Sequence, residues 1–234
     1  MQKVSNRYTY NLSKIKSPLY KLEEALKLLK ETSTAKFQET VELHANLNIN
    51  PKYPNQQLRA TVTLPYGTGN LIKIAALIPE SEFHNAEEAG AELIDSSKLI
   101  LEISKGLINF DVLITTPEMM PKLAKLGRIL GPKGLMPSPK SGTVTNNIKE
   151  TILDFKKGKF EYKADKAGVA HIHFGKAHFS DSELLKNANA LYLSILNNRP
   201  LGVKGKYFKS IFICSSMGPS IKVDLTSFEE VKFK

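Results

Sequence analysis

The chain has a single cysteine, Cys214, among its 234 residues. With no second thiol, a disulfide framework and a thiolate metal site are both excluded, and a reducing compartment fits. Long apolar runs are missing too: nothing approaches the ~18 residues of a spanning helix, so no membrane partner is expected. The opening residues MQKVSNRYTY have neither the apolar centre of a secretory signal nor the Arg- and Ser-rich, acid-free character of a transit peptide. The chain is therefore expected to be made where it works. Nucleotide-binding loops are absent as well. GTG at 67–69 lacks a third glycine at the required spacing and precedes a strand pattern instead of following one. GPKG at 131–134 sets its lysine between the glycines and continues with Leu135, so it is no phosphate loop. A last absence is local. No acidic residue occurs over 119–147, which leaves Lys122, Lys125, Arg128, Lys133 and Lys140 unopposed.

What is present describes a folded, basic protein. Hydrophobic residues at 41% and charged residues at 24% are ordinary for a globular chain, and the length allows one large domain or two smaller ones. The net charge of +10 is unevenly spread. Residues 66–158 hold 11 basic and 11 acidic side chains, so the whole surplus belongs to residues 1–65 and 159–234. Within the middle segment, 66–118 carry 3 basic and 9 acidic residues while 119–158 carry 8 and 2. A pI near 9.5 with its excess confined to part of the chain is the footprint of a nucleic-acid binder; a basic enzyme or a membrane-surface protein is the competing reading.

Periodicity supplies the elements. Ser17-Pro18 reads as a cap with proline at the first helical position, followed by Leu19, Leu22, Leu26 and Leu29 at helical spacing. Two alternating strands, 41–47 and 58–64, flank the turn residues NPKYPNQQ and read as an antiparallel pair. At Pro65 the pattern changes. Short, continuously apolar runs at 72–78, 91–94 and 110–115 alternate with helical stretches at 85–90, 97–105 and 118–130, which predicts a parallel sheet with helices on both faces. The glycine- and proline-rich stretch 127–145 is expected to be a fixed, turn-rich loop, followed by a helix over 147–157. Alternation then returns: 160–162 leads into the turn ADKAG, with 169–174 as its partner strand. Ser180-x-x-Glu183 is a capping box opening a helix that Arg199-Pro200 ends. Strands at 207–214 and 221–225 are joined by SSMGPS. Neither end of the chain can close a core alone. The expected architecture is α/β with two domains. Residues 1–66 and 158–234 form a split α+β domain, an antiparallel sheet with helices packed on one face. Residues 67–157 form an inserted three-layer α/β/α, Rossmann-like domain, and Pro65, Gly67, Gly69 and Gly158 act as hinges.

Candidate chemistry is sparse. His171 and His173 share one strand face and His178 lies nearby, but no convergent acid or cysteine pattern accompanies them, so no metal and no cofactor are expected. Cys214 lies in an apolar run and reads as a core residue. Three stretches in the basic ends suit RNA: 34–40, 163–171 and 215–219, each at the end of a strand, where loops on a rigid scaffold can meet at one surface. Their lysines and hydroxyls fit phosphates and 2′-hydroxyls, Phe37 and Met217 offer apolar contact, and Gly218 permits close backbone approach.

The run GRILGPKGLMPSPKSGTVT at 127–145 is similar, without a gap, to the pattern of the large-subunit ribosomal protein L-one family, and the similarity extends over about 33–224. The resemblance implies a protein that binds large-subunit ribosomal RNA to form the mobile L-one stalk, helps deacylated transfer RNA leave the exit site, can repress its own messenger RNA, acts as a monomer within the ribosome, and is no enzyme. It implies RNA contacts at Lys36, Phe37, Glu39, Thr40, Asp165, Lys166, His171, Ser210, Ser216, Met217, Gly218 and Pro219. Arg128, Lys133 and Lys140 are expected to form a loop facing transfer RNA. Two stretches depart from the family pattern: Ser215-Ser216 stands where Thr-Thr is frequent, and Lys163-Ala164 where Arg-Asn is. Lysine and asparagine in preference to arginine, with NPKYPNQQLRATV, resemble plastid and cyanobacterial members, so a plastid ribosome is preferred over a bacterial cytoplasm. The opposing readings are an enzyme whose insert binds a phosphorylated ligand at GPKGLMP and an RNA regulator outside the ribosome.

Overall fold

Alternation in the sequence becomes a sheet with one buried face. In the computed structural model, which describes residues 5–94 and 96–228, the chain runs α1 (Asn6–Ser13), α2 (Leu22–Thr32), β1 (Thr40–Leu47), β2 (Arg59–Thr63), β3 (Ile74–Leu77), α3 (Phe83–Glu88), α4 (Ser96–Ser104) and β4 (Val112–Thr115). It continues through α5 (Met120–Ala124), α6 (Gly127–Leu130), α7 (Ile148–Lys156), β5 (Lys159–Lys163), β6 (Val169–Lys176), α8 (Asp181–Asn197), β7 (Phe208–Ser215) and β8 (Ile221–Val223). It is a mixed α/β chain with both antiparallel and parallel sheets, and it divides into two compact units: residues 1–69 with 161–234, and residues 70–160.

In the first unit four strands pair in the order β6-β1-β7-β8, all antiparallel. Leu43 lies between Ile172 and Ile213, and Ala45 between Ala170 and Ile211, so each row puts an apolar side chain on the same face. Helices α2 and α8 cover that face: Leu22, Leu26 and Leu29 of one and Leu184, Leu191 and Ile195 of the other are sealed from solvent. Burying a leucine fully contributes about 1.5–3 kcal/mol, so this helix-on-sheet layer carries much of the unit's stability. The capping box forms as expected, with Ser180 accepting from the Glu183 amide and Glu183 from the Ser180 amide.

The structure corrects several sequence expectations here. The second helix starts at Leu22, not behind Pro18, because Tyr20 extends the sheet edge: its amide donates to the Lys222 carbonyl at 3.1 Å and its carbonyl accepts from Asp224 at 2.8 Å. Leu19 is consequently exposed. The two early strands do not pair with each other. β1 is taken by β6 and β7, and β2 pairs instead with β5, whose residues from Glu161 onward belong to this unit. The expected β5–β6 hairpin is accordingly reduced to one bridge, Ala164 with Ala170. Sequence spacing cannot choose among strands of equal pattern; the helices that must cover them do. Helix α1 was not foreseen. It is capped by Ser5 and held by the buried Asn11 side chain, which donates to the Thr32 carbonyl at 2.8 Å.

The second unit is built on two parallel strands, β3 and β4, widened by single bridges from Leu93 to Ala75 and from Val144 to Thr115. The run at 91–94 thus makes a bridge, not a strand. Alternate residues of β3 enter two cores. Ala75 and Leu77 pack with Leu99, Ile103, Leu123 and Leu130. Ile74, Ala76 and Ile78 pack with Ala86, Ala89, Ile148, Ile152 and Phe155. The helix expected over 118–130 is split at Lys125-Leu126 into α5 and α6, and the first residues of the expected loop are helical.

Candidate nucleic-acid interface

The covered face of the first sheet leaves the other face open. The register that buries Leu43 turns Glu42, His44 and Asn46 of β1 the opposite way, beside His171 and His173 of β6 and Ser210, Phe212 and Cys214 of β7. All eight are half-buried or exposed. Cys214 is therefore not the core residue expected; it lies half-buried on this open face, with its Sγ 3.1 Å from His44 Nε2. Burial and the nearby Glu42 carboxylate push its thiol up to about 11.

At one end of the face the turn before β1 and the turn between β7 and β8 are fastened together. Glu39, 2% exposed, accepts the Ala35 amide at 2.8 Å with one carboxylate oxygen and the Met217 amide at 3.1 Å with the other. Burial opposes its ionisation, yet contacts with Ser215, Ala35, Met217 and Ser33 prevail and hold its carboxyl below the usual value. The Ser216 amide donates to the Thr40 carbonyl at 3.0 Å, the Thr40 amide donates to Ser216 Oγ at 3.1 Å, and Lys176 Nζ reaches Thr40 Oγ1 at 2.9 Å. What this bracket leaves outward is Lys36, Phe37, Ser216 and Met217, with Phe37 55% and Met217 50% exposed. Glu39 thus lies beneath the surface that these residues present and ties the two turns together. Pro219 is buried. Gly218 has no left-handed backbone; a Cβ there would lie 2.4 Å from Ser215 Oγ, so a side chain at this position requires that hydroxyl to shift.

The third stretch does not join the other two. β6 runs antiparallel to β1, with Lys176 beside Thr40 and Val169 beside Asn46, so the Asp165-Lys166 turn sits at the far end of the sheet. Six residues of strand separate the ends, about 20 Å. There Asp165 Oδ1 accepts the Ala167 amide at 2.9 Å and the Val169 amide at 2.7 Å; the Val169 bond first of all holds its carboxyl below the usual value. Asp165 Oδ2 lies 3.7 Å from His171 Nε2, and Lys166 is exposed. Ser210, beside Asn46, belongs to this end. The candidates form a strip along an open sheet face, with a pinned turn at each end, where a single cluster of loops was expected. Glu42, His44, Asn46 and Phe212 are members that sequence reasoning missed. The alternation of 41–47 already put the first three on one side, but which side the helices cover was not visible.

In the second unit Arg128, Lys133 and Lys140 are all exposed. Their loop is internally fixed: the Ser138 amide donates to Thr143 Oγ1 at 3.0 Å, Ser141 Oγ donates to the Ser138 carbonyl at 2.9 Å, and beside β4 the Thr115 amide donates to the Thr143 carbonyl at 2.9 Å while the Thr145 amide donates to the Thr115 carbonyl at 3.0 Å. Gly131 is required, since a Cβ would stand 2.6 Å from the Gly127 carbonyl.

Residues 29–219 match the model of the ribosomal protein L1p/L10e family. The chain belongs to that family. It is 63% identical over 229 residues, 97% of this chain and all of the relative, to the large ribosomal subunit protein uL1c of Trieres chinensis. Identity is 59% over the same shares to the uL1c of Phaeodactylum tricornutum, and 50% over 232 residues, 99% of each chain, to the uL1 of Prochlorococcus marinus (strain MIT 9303). As an L1p/L10e member the chain is a structural constituent of the large ribosomal subunit and not an enzyme. Among the described residues no helix is long and apolar enough to cross a membrane.

Proposed function

We propose that the open face of the first unit clamps the folded ribosomal RNA of the L-one stalk. The observation that carries this is the strip itself: exposed hydroxyls, imidazoles, lysines and two exposed apolar side chains over about 20 Å, with the turn at each end locked by a carboxylate that accepts backbone amides, the buried Glu39 at one and the exposed Asp165 at the other. Pre-fixed turns suit recognition of a folded RNA shape, since little ordering entropy is lost on binding. The second unit, whose layers are helix, sheet and helix in a Rossmann-like arrangement, supplies Arg128, Lys133 and Lys140 as the part that meets transfer RNA leaving the exit site. Joints between the units lie near residues 69–70 and 160–161. Tyr66 and Gly67 are fastened to the buried Asn187, at 3.1 and 3.0 Å, so the pivot begins beyond Gly67 rather than at Pro65, with Gly69 and Gly158 flanking it. Repression of its own messenger would use the same strip on a similar RNA fold. The higher identities to uL1c relatives favour a plastid ribosome over a bacterial one.

Binding of a stalk RNA fragment to the full chain tests the clamp. Met217→Ala probes one end and Lys166→Ala the other. Each single change should weaken binding and the two losses should add, because the sites are independent and far apart. If only one end matters, the RNA does not span the strip.

A further inference from the structure

The open face also gathers a ligand set that no stretch of sequence contains. Glu42, His44 and Cys214 come from two adjacent strands, with Glu42 directly opposite Cys214 and His44 two residues along on the same face. His44 Nε2 stands 3.1 Å from Cys214 Sγ and 3.6 Å from Glu42 Oε2, and the three potential ligand atoms all lie within 4.8 Å of one another. A tetrahedral zinc bound through sulfur at ~2.3 Å and through nitrogen and oxygen at ~2.0–2.2 Å has ligand-to-ligand edges of about 3.4–3.6 Å. Two of the edges present are within about half an ångström of that without any movement of the backbone. Rotation of Glu42, whose side chain is 38% exposed, closes the third.

The other nitrogen of the same histidine is already engaged as a metal ligand's would be. His44 Nδ1 is 2.8 Å from His171 Nδ1, and His171 Nε2 in turn faces Asp165 at 3.7 Å. A partner on the distal ring nitrogen fixes the tautomer and aims the lone pair of the first nitrogen at the cation. We propose that Glu42, His44 and Cys214 form a site for one borderline divalent cation of the zinc class, with Asp165 and His171 as the relay that orients His44 and with the fourth coordination position open toward the exposed face. One thiolate, one carboxylate and one neutral imidazole balance the two positive charges. Binding replaces the S–H bond with a sulfur-to-metal bond and releases the thiol proton to solvent, so affinity rises with pH. The sequence expectation that one cysteine excludes any thiolate metal site is therefore too broad: it excludes an all-sulfur site, not this mixed one, whose other ligands come from a neighbouring strand.

Cobalt(II), a spectroscopic stand-in for zinc, tests the site on the full-length protein without RNA, so the outcome is independent of the RNA reading. One equivalent should bind with a near-ultraviolet thiolate-to-cobalt band and the visible absorption of tetrahedral cobalt, and zinc should displace both. Cys214→Ser should abolish the thiolate band, and His44→Ala should weaken binding at least tenfold. His84→Ala, at a histidine paired with Glu88 in the second unit, should change neither. Thermal unfolding of each cation-free variant checks that it folds. Cobalt binding with no thiolate band, or equal affinity in folded Cys214→Ser and His44→Ala, overturns the proposal.

Discussion

The two units solve the same problem, burying the apolar side of a sheet, with opposite consequences for binding. The second unit surrounds its parallel strands: successive residues of β3 face two separate cores, so Ile74, Ala75, Ala76 and Leu77 are all buried and no strand side chain is left for a ligand. Exposed basic side chains there sit on loops and helix ends, such as the loop bearing Lys133 and Lys140. The first unit covers one face and leaves the other open, so every second residue of β1 is available in a fixed register. An uncovered antiparallel face is a spaced array of side chains held by the backbone ladder, whereas a covered parallel sheet is only a scaffold. The charge distribution follows the same division: residues 70–160 hold 12 basic and 11 acidic side chains, so nearly all of the basic surplus lies in the chain ends that build the open sheet.

Dividing the chain gives the largest test of that contrast. Residues 1–69 joined by a short linker to 161–234 should hold stalk RNA nearly as tightly as the full chain in filter-binding measurements, while residues 70–160 alone should show no specific binding. Binding by the isolated second unit would reverse the assignment. Affinity of the first unit should fall steeply with salt as counterions are released.

Glu39→Ala sharpens the comparison by loosening the bracket while touching no exposed group. It strands two backbone amides in a buried place, and hydrogen bonds to a charged group contribute about 1.5–3 kcal/mol each, so unfolding should show a loss of about 2–4 kcal/mol together with weaker RNA binding. The sign of its pH dependence is set by a carboxyl held below its ordinary 4.5. Stabilisation from Glu39 is complete above that value and is lost as pH falls through the lower folded value. Glu39→Gln should therefore flatten the acid limb of a denaturation-against-pH curve. An unchanged limb would show that the bracket does not depend on ionisation.

Met217→Ala should cost about 1–3 kcal/mol of RNA binding, comparable to a lost stacking contact, with the salt slope and the melting temperature both unchanged. Gly218→Val is a less clean probe, because the added Cβ requires the Ser215 hydroxyl, a partner of Glu39, to shift as well. The smallest effect on stalk binding belongs to the second unit: Lys133→Glu with Lys140→Glu should leave stalk affinity within about twofold while altering retention of deacylated transfer RNA on ribosomes, since loss of a phosphate-facing lysine acts only on the nucleic acid it faces. A large loss of stalk affinity would merge the two surfaces that the comparison separates.

Much of this molecule is legible from residue order because local patterns answer local questions. Alternation at 41–47 predicted β1, Ser180-x-x-Glu183 predicted the start of α8, and the change from alternating to continuous apolar runs at Pro65 marked where one kind of sheet gives way to another. The ungapped run at 127–145 carried the family. Residue order did not determine partners. β1 lies between β6 and β7, more than 120 residues away in sequence, because a central strand buries its apolar side only where neighbours present theirs in matching register, and that choice depends on where α2 and α8 lie. The same non-local step turned Cys214 outward from an apolar run and set it against His44, placed Asp165 at the far end of the sheet from Met217, and buried Glu39 beneath the turn it holds. Period-two patterning specifies that a strand has two faces; only packing decides which face meets the core, and so which residues are free to bind.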